Sequence, residues 1–369
     1  MLSPPATSAV LLALVLVVAL SIRSVTADAA GSLSPVAQAQ ALLAAGADDR
    51  PPPTGPVTLA FGGDVHFEKW LAEAVRADPQ GSLDPLSDLL GDADFAVVNL
   101  ETAVTYRGSA APKEHTFRAP REGITALAAA GVDVVSIANN HGMDFGEQGL
   151  ADTLDAVRAE GLGLVGGGRN EAEAYQPHVA KIRRRRVAVL GATQVLDSFA
   201  ITAWGAGPDQ PGLALAKTES GGQTRLLEAV QRADAEADTV VVMLHWGREK
   251  EQCALPHQRR LAEELRAAGA DVIVGGHAHR LAAGGYQGNA VVSYGLGNLV
   301  FYAKGGPATT SGVLAVTIAP DDSTSIAWRP AKLRNGVATP VKKKQVARAV
   351  ADWEALRSCT DLRAEPTTG

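Results

Sequence analysis

The chain has 369 residues, of which 46% are hydrophobic and 20% charged, and a formal net charge of −6. This balance belongs to a globular protein rather than a disordered one, and the length fits one large α/β domain with tails. An acidic total with no basic stripe argues against a nucleic-acid partner. Two cysteines, Cys253 and Cys359, could pair, but they set no disulfide framework and cannot close a thiolate-rich structural zinc site.

Ala9–Leu20 is unbroken in apolar residues, short for a lone bilayer-spanning helix, and is followed by small residues at Val25-Thr26-Ala27. Residues 1–27 are therefore expected to be a signal peptide or an N-terminal anchor. The anchor stays open because no Lys or Arg precedes the apolar stretch while Arg23 follows it. With either outcome the folded part is exported. Residues 28–55, rich in Ala, Ser, Gly and Pro and ending near Pro51-Pro52-Pro53, read as a flexible tether.

From Val57 the rhythm changes. Val57–Phe61, closed by Gly62-Gly63, reads as a strand buried on both faces, as do Phe95–Val98, Val132–Ala138, Val187–Leu190, Val240–Leu244 and Val272–Val274. Amphipathic stretches at Glu122–Ala130, Leu150–Glu160, Gln223–Ala233 and His257–Ala268 lie between them. Strand and helix in alternation predict a largely parallel sheet covered by helices.

From about Ala290 helices drop out. Ala290–Ser293, Leu299–Phe301, Gly312–Ile318 and Ser325–Arg329 predict a second, antiparallel sheet. A domain over 56–335 is then followed by a 336–369 helix and tail, with the helix at Lys342–Leu356, Trp353 on its apolar face, and residues 360–369 frayed. Arg183–Arg186 reads as a solvated turn entering a strand. Gly166–Asn170 lacks the Lys-Ser/Thr of a P-loop and reads as a turn before a helix near Glu171. Asp197–Gly212, which contains Trp204, is an insertion that forms either a lid or a surface excursion.

Polar, metal-capable residues recur directly after buried strands. Asp64 and His66 follow the first strand, Asn99 and Glu101 the next, and Asn139-Asn140-His141 the third, with Asp144 three residues on. His245-Trp246-Gly247 and Gly275-Gly276-His277-Ala278-His279 follow two more. The carboxyl ends of strands in open α/β sheets form the ligand crevice. Five of the eight histidines stand at such ends, whereas His115, His178 and His257 read as surface or packing residues. Imidazole mixed with carboxylate and amide oxygen, without thiolate, suits zinc, iron or manganese. Two such ions about 3.5–4 Å apart need a shared carboxylate, and they polarise a phosphoryl or carbonyl oxygen. Trp246 reads as packing, and Glu249 equally as a helix-start residue or a substrate contact.

Asp64-Val65-His66, Asn140-His141, His245 and Gly276-His277-Ala278-His279 resemble, in order, the signature blocks of calcineurin-like metallophosphoesterases. Phe61-Gly62-Gly63-Asp64, Val98-Asn99-Leu100-Glu101-Thr102, Ala138–His141 with Asp144 and Gly146, His245–Glu249, and Ala268–Asp271 running into His279 resemble more closely the CapA family of capsule and poly-γ-glutamate synthesis proteins. Gly295-Leu296-Gly297-Asn298 follows, and the resemblance covers about residues 56–305. It implies a four-layer α/β/β/α sandwich and two divalent ions, manganese, zinc or iron. Asp64, His66 and His279 would hold one ion and Asn140, His245 and His277 the other, with Glu101 between them. His141 would be a proton donor oriented by Asp144. Asn99, Asn139, Glu249 and Asn298 would support the ligands or meet substrate, with Asn99 an alternative ligand to Glu101. His66, Lys250, Gly284-Gly285, Gly295 and Leu299 depart from the family pattern and bear on substrate contacts.

Three functions follow from the resemblance. One is an exported metal-dependent hydrolase or transferase acting on a phosphoester or on an amide of an anionic surface polymer. Another is a non-catalytic component working with membrane-bound capsule machinery, and the third is an exported phosphoesterase unrelated to capsules.

Overall fold

Strands apolar at every position must be covered on both faces, and that requirement sets the layers of the fold. The computed structural model describes residues 53–367. The expected signal segment or anchor, and the tether as far as Pro52, lie outside them. Among the described residues no helix is long and apolar enough to cross a membrane.

The first half runs β1 (Val57–Val65), α1 (Trp70–Ala77), α2 (Asp84–Leu90), β2 (Phe95–Leu100), α3 (Glu122–Ala129), β3 (Val134–Ser136), α4 (Gly146–Ala159) and β4 (Gly163–Val165). There follow β5 (His178–Ile182), β6 (Arg185–Thr193), α5 (Gly222–Glu236), β7 (Thr239–His245), α6 (Pro256–Ala267), β8 (Val272–Gly276), β9 (Gly284–Gln287) and β10 (Ala290–Ser293). The chain closes with β11 (Asn298–Val300), β12 (Thr310–Ile318), β13 (Thr324–Arg334), β14 (Val337–Pro340) and α7 (Val346–Ala355). One sheet has the order β11-β14-β13-β12-β1-β2-β3-β4, with β11 also beside β1, and the other β9-β10-β8-β7-β6-β5.

Alternation along the strands divides the core. Leu59 and Phe61 of β1, Val97 of β2, Val189 of β6, Val241 of β7 and Val274 of β8 share one cluster between the sheets. Ala60 and Val98 turn the other way onto Leu71, Ile124, Leu127 and Leu154 of the first sheet's helices. Leu190, Val242 and Ile273 likewise pack on Leu226, Val230, Leu261 and Leu265 of α5 and α6. The layers are α/β/β/α, the arrangement the resemblance implies.

The C-terminal strands correct the expectation of a separate antiparallel sheet. β10 runs parallel beside β8, and β12 pairs antiparallel with β1, so these strands complete both sheets instead of building a third layer. Each central strand still had a free row of backbone donors and acceptors, and pairing them is worth more than an isolated hairpin would gain. The expected boundary at residue 336 falls inside the tight β13–β14 pair, where Arg334 opposes Val337.

Two further expectations change. Arg183 and Arg184 do form a turn, but Arg185 is buried and pairs with Asp322 at 2.7 Å, while Arg183 pairs with Asp94 at 2.6 Å. The tail is not frayed over residues 360–367. Arg363 exchanges backbone hydrogen bonds with Tyr286 at 2.8 and 2.9 Å, covering the edge strand β9, and Tyr294 donates to Asp361. Cys253 and Cys359 form a disulfide that holds this strap to the loop before α6. The loop it closes spans 106 residues, so reducing it should destabilise the protein by about 2–5 kcal/mol. Urea unfolding of wild type against Cys359→Ser checks this, and coincident midpoints would refute it.

Candidate metal centre

Both sheets present their carboxyl ends to one crevice. The chain enters it at Gly62-Gly63, where a side chain on Gly63 would place its Cβ 1.9 Å from the Gly297 carbonyl. That close approach lets the Asp64 N–H donate to the same carbonyl at 2.9 Å and turns the Asp64 carboxylate inward. Asn99 Nδ2 donates to it at 2.9 Å and the His277 N–H at 3.1 Å, while His279 Nδ1 lies 3.2 Å away. Gly276 is a second tight point, since a Cβ there would lie 2.3 Å from that carboxylate. His277 and His279 adopt left-handed backbone, with φ of 94° and 51°. Residues other than glycine rarely sit there, and such strain gathers at functional sites.

Ligand-capable atoms fall into two groups, Glu101 with His245 and His277, and Asp64 with Glu101 and His279, each within 4.8 Å. Glu101 belongs to both. It is fully buried, and neither carboxylate oxygen has a hydrogen-bond partner among the described residues, nor does Nδ1 of His277. His245 Nε2 lies 3.3 Å from Glu101 and 2.7 Å from Asn140 Oδ1. A buried carboxylate without donors is costly, and a cation among hard oxygen and imidazole ligands removes that cost. The residues therefore fit divalent metal.

Electrostatics follow from this crowding. Burial, reinforced by Asp64, pushes Glu101 up to about 8. Burial would also raise Asp64, but the hydrogen bond and charge of His279, with His245 beyond, outweigh it and hold it at about 2. Burial drives His245 and His277 down to about 3. His279 goes the other way, because Glu101 and Asp64 overcome its burial and lift it to about 9.

Beside these groups, His141 Nδ1 donates to Asp144 Oδ2 at 2.6 Å, and the imidazole stacks on Phe117 with centroids 4.0 Å apart. Asn139 links the two regions. Its amide donates to Asn99 Oδ1 at 3.1 Å and its oxygen accepts the His141 N–H at 3.0 Å. Asn298 Oδ1 lies 2.9 Å from His279 Nδ1, and Trp246 is buried, donating to the Tyr294 carbonyl. Glu249 is exposed, and its charge acts on His277.

His66 differs from its expected role. It belongs to neither ligand group. Its Nδ1 accepts the Glu68 N–H at 3.1 Å, and its ring is caged by Phe301 at 4.0 Å, Tyr302 at 4.6 Å and Phe117 at 4.8 Å. The insertion at Asp197–Gly212 packs down, with Ala200 and Trp204 buried among residues of the first sheet's outer core. Sequence reasoning missed Lys113, which pairs with Asp144 at 2.7 Å. It lies in a loop with no periodic pattern, and only its place between two strand-end motifs could have drawn notice.

Fold and crevice together define a four-layer α/β/β/α protein with a candidate metal centre fed by both sheets. The profile of the family described as bacterial capsule synthesis protein PGA_cap matches residues 58–303, and the chain belongs to that family. It is 28% identical over 291 residues to the PGA biosynthesis protein CapA of Bacillus subtilis, covering 78% of this chain and 74% of that protein. It is 30% identical over 291 residues to the capsule biosynthesis protein CapA of Bacillus anthracis, covering 77% and 69%. A Staphylococcus aureus chain described as a 5'-nucleotidase overlays loosely, with a TM-score of 0.45 and 15% identity, covering 81% of this chain and 58% of that one.

The pKa shifts set a pH dependence for metal-free protein. Glu101 moves from 4.5 to about 8 and His279 from 6.5 to about 9, so the folded state holds protons that the unfolded chain has released. Stability should therefore fall as pH rises from about 6.5 to 8. His245 and His277, at about 3, add stability as pH rises toward 6.5 and nothing beyond it. Glu101→Gln should flatten the alkaline fall. Urea unfolding of metal-stripped protein at both ends of the window is the measurement, and a rise in wild type would contradict the assignment.

Proposed function

We propose that this protein is an exported two-metal hydrolase or transferase of capsule or poly-γ-glutamate biosynthesis, acting on a phosphoester or on an amide of an anionic surface polymer. The observation that carries the reading is Glu101, a buried carboxylate without hydrogen bonds, shared by two groups of histidine-containing ligands. Asp64, Glu101 and His279 would hold one divalent ion, and Glu101, His245 and His277 with Asn140 the other. Manganese, zinc and iron all suit these donors. Bound there, the ions would supply Lewis-acid polarisation of a phosphoryl or carbonyl oxygen.

The remaining roles belong to the chain. Asp144 holds His141 through Nδ1, which leaves Nε2 for proton donation to a leaving group. Asn99 and Asn139 tie the His141 backbone to Asp64 through hydrogen bonds. Export is supported by the apolar stretch Ala9–Leu20 and by the Cys253–Cys359 disulfide, which persists in oxidising surroundings. The names of the Bacillus relatives support a capsule or poly-γ-glutamate setting, and membrane-bound synthesis machinery is the partner we propose there. A second reading, a non-catalytic assembly component, draws on a Mycobacterium tuberculosis relative whose name is probable polyglutamine synthesis accessory protein.

Purified protein should carry close to two divalent ions, and Asp64→Ala or His277→Ala should lose at least one, with circular dichroism confirming the fold. His141→Ala should keep its metal and lose roughly 10²–10⁴-fold in turnover. The substrates to screen are an aryl phosphate, a phosphodiester and γ-linked glutamate oligomers. Wild type that stays metal-free after reconstitution sinks the metal centre. Bound metal with no turnover of any substrate transfers the protein to the assembly reading.

A further inference from the structure

Behind the His141–Asp144 pair lies a buried cation. The Lys113 side chain is 9% exposed, and Nζ sits 2.7 Å from Asp144 Oδ1 and 3.4 Å from His141 Nδ1. It also donates to the backbone carbonyl of Asn140. On its far side the ring of Trp204 stands 5.3 Å from Nζ, close enough for cation–π attraction. Asp144 Oδ2 is taken by His141 Nδ1 and by the Phe117 N–H, both at 2.6 Å. Lys113 is therefore the group that engages Oδ1, and together these contacts fix the rotation of the carboxylate.

The pattern separates positioning from substrate binding. A lysine meant to grip an anionic ligand keeps its ammonium free in the crevice, whereas Lys113 is committed to an ion pair with Asp144 and a hydrogen bond to the Asn140 carbonyl. A lysine meant only to neutralise one carboxylate needs one partner. Lys113 instead meets the carboxylate that orients the imidazole, the residue that precedes it, and the buried ring of the 197–212 insertion. All three surround one side chain.

We propose that Lys113 is a positioning residue for His141, holding Asp144 and the Asn140-His141 segment so that Nε2 faces the leaving group, with Trp204 pressing the ammonium into place. The proposal rests on reading His141 as the proton donor. Removing the clamp displaces the imidazole by a fraction of an ångström or more, and misplacement of about 1 Å can cost roughly 10²-fold in rate.

The test uses full-length zinc-loaded wild type, Lys113→Met and Lys113→Arg. Lys113→Met should retain wild-type zinc on elemental analysis. Its turnover should fall about 10²-fold on phenyl phosphate, whose leaving group needs a proton, and little on 2,4-dinitrophenyl phosphate, whose leaving group does not. Lys113→Arg should recover much of the loss. An equal loss on both esters, or loss of zinc, overturns the proposal in favour of a general structural or metal-holding role.

A second measurement is independent of turnover. The His141 Nδ1 proton held by Asp144 should give a low-field proton resonance, assigned by its absence in His141→Ala. That signal should vanish or shift in Lys113→Met and return in Lys113→Arg. An unchanged resonance in Lys113→Met overturns the proposal even if no ester is cleaved. Failure of wild type on every substrate, with the resonance behaving as expected, removes the hydrolase reading and leaves the clamp standing.

Discussion

Asp64 and Glu101 are both fully buried in the same crevice, and the neighbouring structure exists to make that possible. Two like charges within about 5 Å repel by roughly 3–4 kcal/mol at an effective dielectric near 20. Against a typical net stability of 5–15 kcal/mol, that repulsion cannot be left unanswered. The two carboxylates receive unequal treatment. Asp64 gathers Asn99, the His277 N–H and His279, and stays ionised. Glu101 gathers no donors and is driven toward its protonated form. A fold that merely needed filling there would hold an apolar residue, and one that needed a hydrogen-bond acceptor would have supplied donors. A carboxylate kept bare has the chemistry of a candidate metal ligand.

The backbone bears the cost of bringing these groups together. His277 and His279 hold left-handed φ angles, each worth about 1–3 kcal/mol of strain, and Gly276 between strand and ligand has no room for even a methyl group. The strain persists because β8 is paired in parallel with β7 on one side and β10 on the other. The residues that set the geometry are therefore also buried apolar ones such as Val274 and Leu244, which precede the site on β8 and β7.

This division explains what could be read in the sequence. Strands buried on both faces announce themselves as unbroken apolar runs, so β1, β2, β6, β7 and β8 were visible, and ligands that directly follow them were visible too. The pairing of β10 and β12 was not, because alternation identifies a strand without identifying its neighbour. α1 and α2 span eight and seven residues, too short for periodicity to speak. The tail beyond Thr360 looked unstructured because its order comes from Tyr286, Tyr294 and the disulfide, all distant in sequence. His66 carries the right residue type at the right spacing, yet the aromatic side chains of Phe117, Phe301 and Tyr302 claim its ring. Lys113 left no local mark at all.

One consequence of the topology reaches past the individual residues. Each ligand group straddles the sandwich. Glu101 follows β2 of the first sheet while His245 ends β7 and His277 follows β8 of the second, and Asp64 of β1 meets His279, again from beyond β8. Neither sheet alone can assemble either group, so the site is complete only when the apolar faces between the sheets have packed. The converse also holds, because any ion bound there contacts the folded sandwich and not the unfolded chain. Its binding free energy then adds directly to the cohesion of the two sheets. Metal occupancy and sheet packing would then be one equilibrium, in which an ion at the crevice would relieve the electrostatic strain that the packing of the sheets creates.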